Sequence, residues 1–239
     1  MNWLKALLRR GSALDGAVAA RLAGWRGLER PGPGRPLGAQ RMVVVDVEAS
    51  GLDPYRDRLI SVGAVAVEDG LVLPAQCFEA VLRQDSASLH DNIVVHRIGG
   101  SAQRGGRDPA EALVDFLAFA GKDPLIAFHS DFDRVLIERA ARAALGVKPE
   151  NAWLDLAVLA PALLGPRARS LDDWLELFGI ENDRRHDALA DAVATAQLLL
   201  PVLAAAHAQG LDSCARLLRM QKDYLWLEGG RNALWKPGI

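Results

Sequence analysis

The sequence predicts a mixed α/β protein: a buried sheet with helices packed on it. Three observations carry that expectation. The run Met42-Val-Val-Val-Asp-Val47 is β-branched and almost wholly apolar, as a strand covered on both faces should be. Residues 59–67 and 71–81 flank Glu68-Asp69-Gly70, whose Asp-Gly step suits a tight turn, so the second and third strands form an antiparallel hairpin. Beyond them a short strand at 125–128 is followed by helical segments. A hairpin followed by strand and helix alternation gives a mixed sheet, not a purely parallel one.

The remaining elements follow in chain order. Trp3, Leu7, Leu14, Val18, Leu22 and Trp25 recur at intervals mostly of three, four or seven, with arginines between, which predicts one or two amphipathic basic helices over 3–28. Pro31-Gly-Pro-Gly-Arg-Pro36 cannot continue a helix, because its prolines lack amide donors and its glycines are flexible. It divides a basic N-terminal extension and linker (1–40) from the body (41–205), and a C-terminal helix and tail (206–239) completes the chain. Within the body, residues 109–120 read as a helix with Asp108 as N-cap and Pro109 at the first helical position. Further helices are expected at 132–145, 153–164, 171–178 and 188–206. Trp226 and Trp235, with Leu217, Leu218 and Leu225, suggest a docking helix and tail.

Of the 239 residues half are apolar, enough for a sizeable core. The two cysteines, Cys77 and Cys214, are too few and too far apart for a disulfide framework or a cysteine zinc site, and a reducing cytoplasm is the expected compartment. The longest uninterrupted apolar run, 198–206, is shorter than the roughly 20 residues of a membrane span, so no transmembrane segment is expected. Arg9 and Arg10 interrupt any signal-peptide core. The net charge of −2 conceals a split: residues 1–41 hold eight Lys/Arg against two acids, net +6, and the rest hold 20 against 28, net −8. A basic arm on an acidic body is open to several readings: docking on a protein partner or a second copy, cover for its own core, or contact with nucleic acid or a membrane surface.

Asp46 and Glu48 stand two apart at the end of the first strand, so both carboxylates leave the same face. Paired acids on an exposed strand are commonly just solvated. Here the flanking valines argue for burial, and two buried like charges call for a hard divalent cation. In Ala127-Phe-His-Ser-Asp-Phe-Asp133 a short strand leads into a helix, the place where α/β folds gather site residues. The plain reading of Asp133 is an acid favoured by a helix N-terminus, and Asp131 is the rival carboxylate in this segment. His186 precedes the 188–206 helix and Asp191 lies in its first turn; a loop histidine there would reach back over the site that Asp191 faces. Acids on three separate elements plus a histidine are the parts for two-metal phosphodiester hydrolysis.

At these residues the chain resembles the DnaQ-like (DEDDh) 3′-to-5′ exonucleases of the ribonuclease H-like fold. The Asp-x-Glu motif is matched by Asp46-Val-Glu48-Ala-Ser-Gly-Leu-Asp-Pro54, the Phe-Asp motif by Phe132-Asp133, and His-x-Ala-x-x-Asp by His186-Asp-Ala-Leu-Ala-Asp191. Val95-His-Arg-Ile98 and Ser170-Leu-Asp-Asp-Trp-Leu-Glu-Leu-Phe-Gly-Ile180 are similar to further family segments, in order, and the likeness spans about 42–203. The resemblance selects Asp133 over Asp131 and implies a five-stranded sheet with its first three strands antiparallel, flanked by helices.

It also implies roles. Asp46 would bridge two divalent ions, Mg²⁺ or Mn²⁺; Glu48 and Asp191 would complete the first ion's shell; Asp133 would serve the second directly or through water; His186 would be the general base. The substrate-contact candidates are Ala49, Ser50, Gly51, Leu52 and Phe132, the amides near Ala49 and Ser50 meeting the terminal 3′-hydroxyl and Leu52 packing on its base. The implied activity is release of nucleoside 5′-monophosphates from single-stranded 3′ ends, DNA being favoured. RNA trimming and a catalytically silent nucleic-acid-binding scaffold are the alternatives. Ala49-Ser50 replaces the common Thr-Thr, and Phe128-His129-Ser130 replaces His-Asn-Ala; neither removes an acid. Gln197-Leu-Leu-Leu-Pro-Val202 faintly resembles a sliding-clamp-binding peptide, although its leucines also fit a helix core.

Overall fold

The computed structural model describes residues 14–86, 88 and 97–234, with side chains to 227. Trp3, Leu7, Val95, His96 and Trp235 lie outside the described residues. β1 (Met42–Ala49), β2 (Leu59–Glu68) and β3 (Leu71–Val81) form the expected antiparallel set, and β4 (Leu125–Ala127) and β5 (Trp153–Asp155) run parallel to β1, in the order β3-β2-β1-β4-β5. The helices are α1 (Gly16–Arg26), α2 (Gly100–Arg104), α3 (Pro109–Ala120), α4 (Ser130–Leu145), α5 (Leu156–Leu164), α6 (Leu171–Phe178), α7 (Ala188–Ala208) and α8 (Cys214–Leu234).

Alternation along β1 builds two cores. Val43, Val45 and Val47 join α1, α3 and α4 on one face; Met42 and Val44 join α5, α6, α7 and α8 on the other. Asp46 and Glu48 have the parity of Met42 and Val44, and so belong to the α7 face. One departure from the sequence reading lies at the start of 153–164, a stretch expected to be mostly helical. Trp153–Asp155 instead pairs with β4, and the helix begins at Leu156. Three residues are too few for a strand period to show, whereas the following apolar run does read as helix.

Part of the basic N-terminal segment packs onto the body as a helix. Asp15 caps α1 through the Ala17 amide, and Val18, Leu22 and Trp25 are buried in the first core. The Trp25 indole N–H donates to the Gly121 carbonyl at 3.0 Å, the Lys122 ammonium lies 3.1 Å from the ring centroid, and Arg21 pairs with Asp115. Residues 16–26 therefore cover the protein's own core.

α7 is long and apolar enough to cross a membrane by length and composition, which the uninterrupted run alone did not suggest. It lies across β1 and β2, and half of its most apolar window is buried in the protein. Leu198, Leu199 and Val202 are fully buried, so the clamp-peptide reading gives way to core packing. Cys77 is exposed, Cys214 is buried, and both are free.

Candidate active site

α7 reaches the sheet because residue 63 is glycine. Gly63 is the register partner of Asp46, and a Cβ there would lie 2.2 Å from the backbone of Ala188 and Leu189. The first turn of α7 thus comes down beside β1 and brings Asp191 to the strand's acidic end. Asp191 is buried, and its carboxylate is held by three donors: Asn182 Nδ2 at 2.5 Å and Arg185 on Oδ1, and the His186 amide on Oδ2 at 2.9 Å. Arg185 also donates from Nε to Asp172 of α6 at 2.6 Å. His186 sits before the helix with φ of 64°, exposed, and ligand atoms of Glu48, His186 and Asp191 lie within 4.8 Å of one another.

The other two acids fall outside that triplet but share its field. Desolvation and then the charges of Asp133, Asp191 and Glu48 push Asp46 well above the usual carboxylate range, with Arg185 opposing. Glu48 is pushed up to about 8, first by burial and then by Asp191, again against Arg185. Asp133 is buried in the first turn of α4 and raised chiefly by burial, opposed by hydrogen bonds with its own backbone and that of Val47. Asp131 instead lies exposed and pairs with Arg134 at 2.7 Å. The structure separates two acids that the residue pattern alone left as rivals.

Residues 49–58 form a fixed turn. The Asp57 carboxylate accepts from Ser50 Oγ at 3.0 Å and from the Asp53 amide at 2.9 Å, and it lies where a side chain at Gly51 would begin, 2.4 Å from an added Cβ. Arg139 of α4 donates to the Pro54 and Asp57 carbonyls. Ala49 and Ser50 are half-buried, and Leu52 is 92% exposed on this braced turn. Phe132 is half-buried against the first core.

His129 explains one departure from the family pattern. It precedes α4 with φ of 65°, in the left-handed region that asparagine and histidine adopt more readily than most residues. Asp155 is a group the sequence reading missed, having been placed inside a helix. Its carboxylate accepts the amides of His129 and Ser130 at 3.0 Å and of Ala157 at 2.9 Å. An acid between a short apolar run and a helix is the same signal that marked Asp133. Asn182 and Arg185 stand just before the His186–Asp191 motif, but spacing says nothing of which side chain turns toward Asp191.

The donor set suits a hard divalent cation: carboxylates of raised pKa, gathered from three elements, with an imidazole beside them. Ser61, the register partner of Glu48, adds a buried hydroxyl with no hydrogen-bond partner among the described residues. Such an orphan is satisfied when a water or ion occupies the cleft.

Comparison with known proteins bears on the family and the fold. The chain is 30% identical over 158 residues to the PolC-type DNA polymerase III of Thermotoga petrophila, covering 66% of this chain and 11% of that protein. It is 28% identical over 162 residues to the DNA polymerase III epsilon subunit of Aquifex aeolicus, covering 67% of this chain and 79% of that one. The chain thus spans about a tenth of the PolC-type relatives it matches. Among solved structures, E. coli exonuclease I bound to a dT13 oligonucleotide aligns with a TM-score of 0.60 at 17% identity, over 71% of this chain and 42% of that one. Exonuclease X bound to 5′-overhanging duplex DNA aligns at 0.59 and 17%, over 75% and 99%. The ribonuclease H-like exonuclease fold is shared. The RNase T exonuclease family model matches residues 43–199, and the chain belongs to this DnaQ-like exonuclease family.

Proposed function

We propose that the protein is a metal-dependent 3′-to-5′ exonuclease that removes nucleoside 5′-monophosphates from single-stranded ends, with DNA the favoured polymer. The observation that carries this reading is the convergence of Asp46, Glu48, Asp133 and Asp191, from β1, α4 and α7, with His186 beside them. Asp46, Glu48, Asp133 and Asp191 would hold two divalent ions, Mg²⁺ or Mn²⁺. When bound, such ions neutralise charge on the attacking and leaving oxygens and lower the pKa of water. The chain's own part is to keep the carboxylates desolvated and aimed, and to accept a proton. His186, on an exposed loop beside Glu48 and Asp191, would take that proton from the attacking water; its nearness to both acids supports the role. The braced turn would present the Ala49 and Ser50 backbone, Gly51 and the exposed Leu52 to the terminal nucleotide, with Phe132 beside it. The complexes of exonuclease I with dT13 and exonuclease X with overhanging DNA favour a DNA strand. The epsilon-subunit relative points to a DNA polymerase as partner class, and two free cysteines fit a reducing cytoplasm.

The test uses matched single-stranded DNA and RNA with Mg²⁺, Mn²⁺ or EDTA, and chromatography of the products. Mononucleotide release that needs the metal and is lost in Asp46→Ala supports the proposal. Tight binding without turnover would make the protein a silent binding module, and faster release from RNA would make it an exoribonuclease.

A further inference from the structure

We propose that Asp155 is a positioning residue for the site: one carboxylate fixes the first turn of α4, and with it Asp133, while Gln221 of α8 anchors that carboxylate's backbone. The inference rests on the nuclease reading above and deepens it.

α4 starts without a cap of its own. The first amides of a helix have no partner inside it, and a nearby side chain normally accepts them. At α4 the cap position is His129, whose side chain makes no capping bond and whose left-handed backbone must be held by its surroundings. Asp155 supplies what is missing from the neighbouring strand. β5 lies beside β4 with Asp155 opposite Ala127, so its carboxylate stands at the mouth of α4. Oδ1 accepts the His129 amide and Oδ2 the Ser130 amide, both at 3.0 Å. Oδ1 also accepts the Ala157 amide at 2.9 Å, capping α5. Capping α5 needs only that last bond. The other two cross 26 and 25 residues of chain to the turn that carries Asp133, where Ser130 and Asp133 are both 4% exposed and water has little access.

The charge state matters as well as the position. All three partners are N–H donors, so an acceptor-only group is required. An asparagine amide would turn its NH₂ toward at least one of them. Asp155 also raises Asp133 through its charge, adding to the negative potential that a cation at Asp133 would meet. Finally, the Asp155 amide donates to Gln221 Oε1 at 2.8 Å. Gln221 lies beyond residue 199, where the family match ends, so the C-terminal helix supports the site from outside that region.

The 239-residue chain and its Asp155→Asn, Gln221→Ala and Asp108→Asn variants are compared by Mn²⁺ calorimetry, steady-state kinetics on single-stranded DNA, and amide hydrogen exchange. Asp155→Asn is expected to speed exchange at residues 129–133. It should weaken a Mn²⁺ site about tenfold or more, and lower kcat with KM for the strand little changed. Gln221→Ala should shift the same quantities less, and it decides the matter should Asp155→Asn not fold. Asp108, the cap of α3, serves as control: its variant loses stability but keeps the Mn²⁺ isotherm. Unchanged exchange at 129–133 with a wild-type isotherm, in the variants that fold, overturns the proposal. A wild type that neither binds Mn²⁺ nor digests DNA fails the nuclease reading instead, and exchange at 129–133 still decides whether Asp155 holds the turn.

Discussion

At the scale of single residues, what matters is which groups are desolvated together. Asp46 and Glu48 were legible because a strand's period puts i and i+2 on one face, and valines around them implied cover. Asp191 and His186 were legible as a spacing, but the grip of Asn182, Arg185 and the His186 amide on Asp191 was not. It depends on how a loop folds back, which sequence periodicity does not encode. If His186 is the base, His186→Ala should lower kcat by roughly 10²- to 10⁴-fold while KM for the strand changes little, measured by steady-state digestion. A variant with unchanged kcat would move the proton to another acceptor.

Among the elements, long periodic segments were readable and short ones were not. The hairpin, α3 and α7 announce themselves by an Asp-Gly turn, a capped Pro start and a long apolar helix pattern. β5 has three residues, too few for a period, and its membership in the sheet comes from pairing with β4. The approach of α7 to β2 hinges on Gly63. Gly63→Ala would force the helix backbone away by more than side-chain adjustment allows, and the expected cost is about 1–3 kcal/mol with a parallel fall in activity as Asp191 moves. Denaturant titration beside a nuclease assay checks both. α1 makes a different prediction, because it packs on α3 away from the acids. Trp25→Ala should cost about 3–5 kcal/mol of stability, yet leave the specific activity of the folded fraction unchanged. Equal stability would mean that α1 is an appended arm and not part of the core.

For the whole molecule, the acidic body acquires a physical consequence. Glu48 titrates near 8 in the folded protein against 4.5 as an ordinary glutamate. Between those values the folded state holds a proton that the unfolded state has released. The stabilisation is complete below about 4.5 and is lost as pH rises through 8. Asp46 and Asp133 are raised in the same direction. In EDTA, Tm is therefore expected to fall from pH 5 to pH 8.5, and Mn²⁺ should raise Tm more at the upper end, where no proton competes for the carboxylates. A Tm in EDTA that rises across this range would remove the acid cluster from the account. The basic arm has a partial explanation in the cover that residues 16–26 give to the first core.

The central proposal is that the carboxylates gathered where β1, α4 and α7 meet, and not the exposed acids around them, drive removal of nucleotides from a 3′ end. It is tested most directly by digesting one 5′-labelled single strand with Mn²⁺ and wild type, Asp133→Asn or Asp131→Asn, and resolving product lengths over time. The account predicts a ladder that shortens one nucleotide at a time for wild type and Asp131→Asn, and an intact strand for Asp133→Asn. Equal digestion by Asp133→Asn, or internal cuts without a ladder, would contradict it.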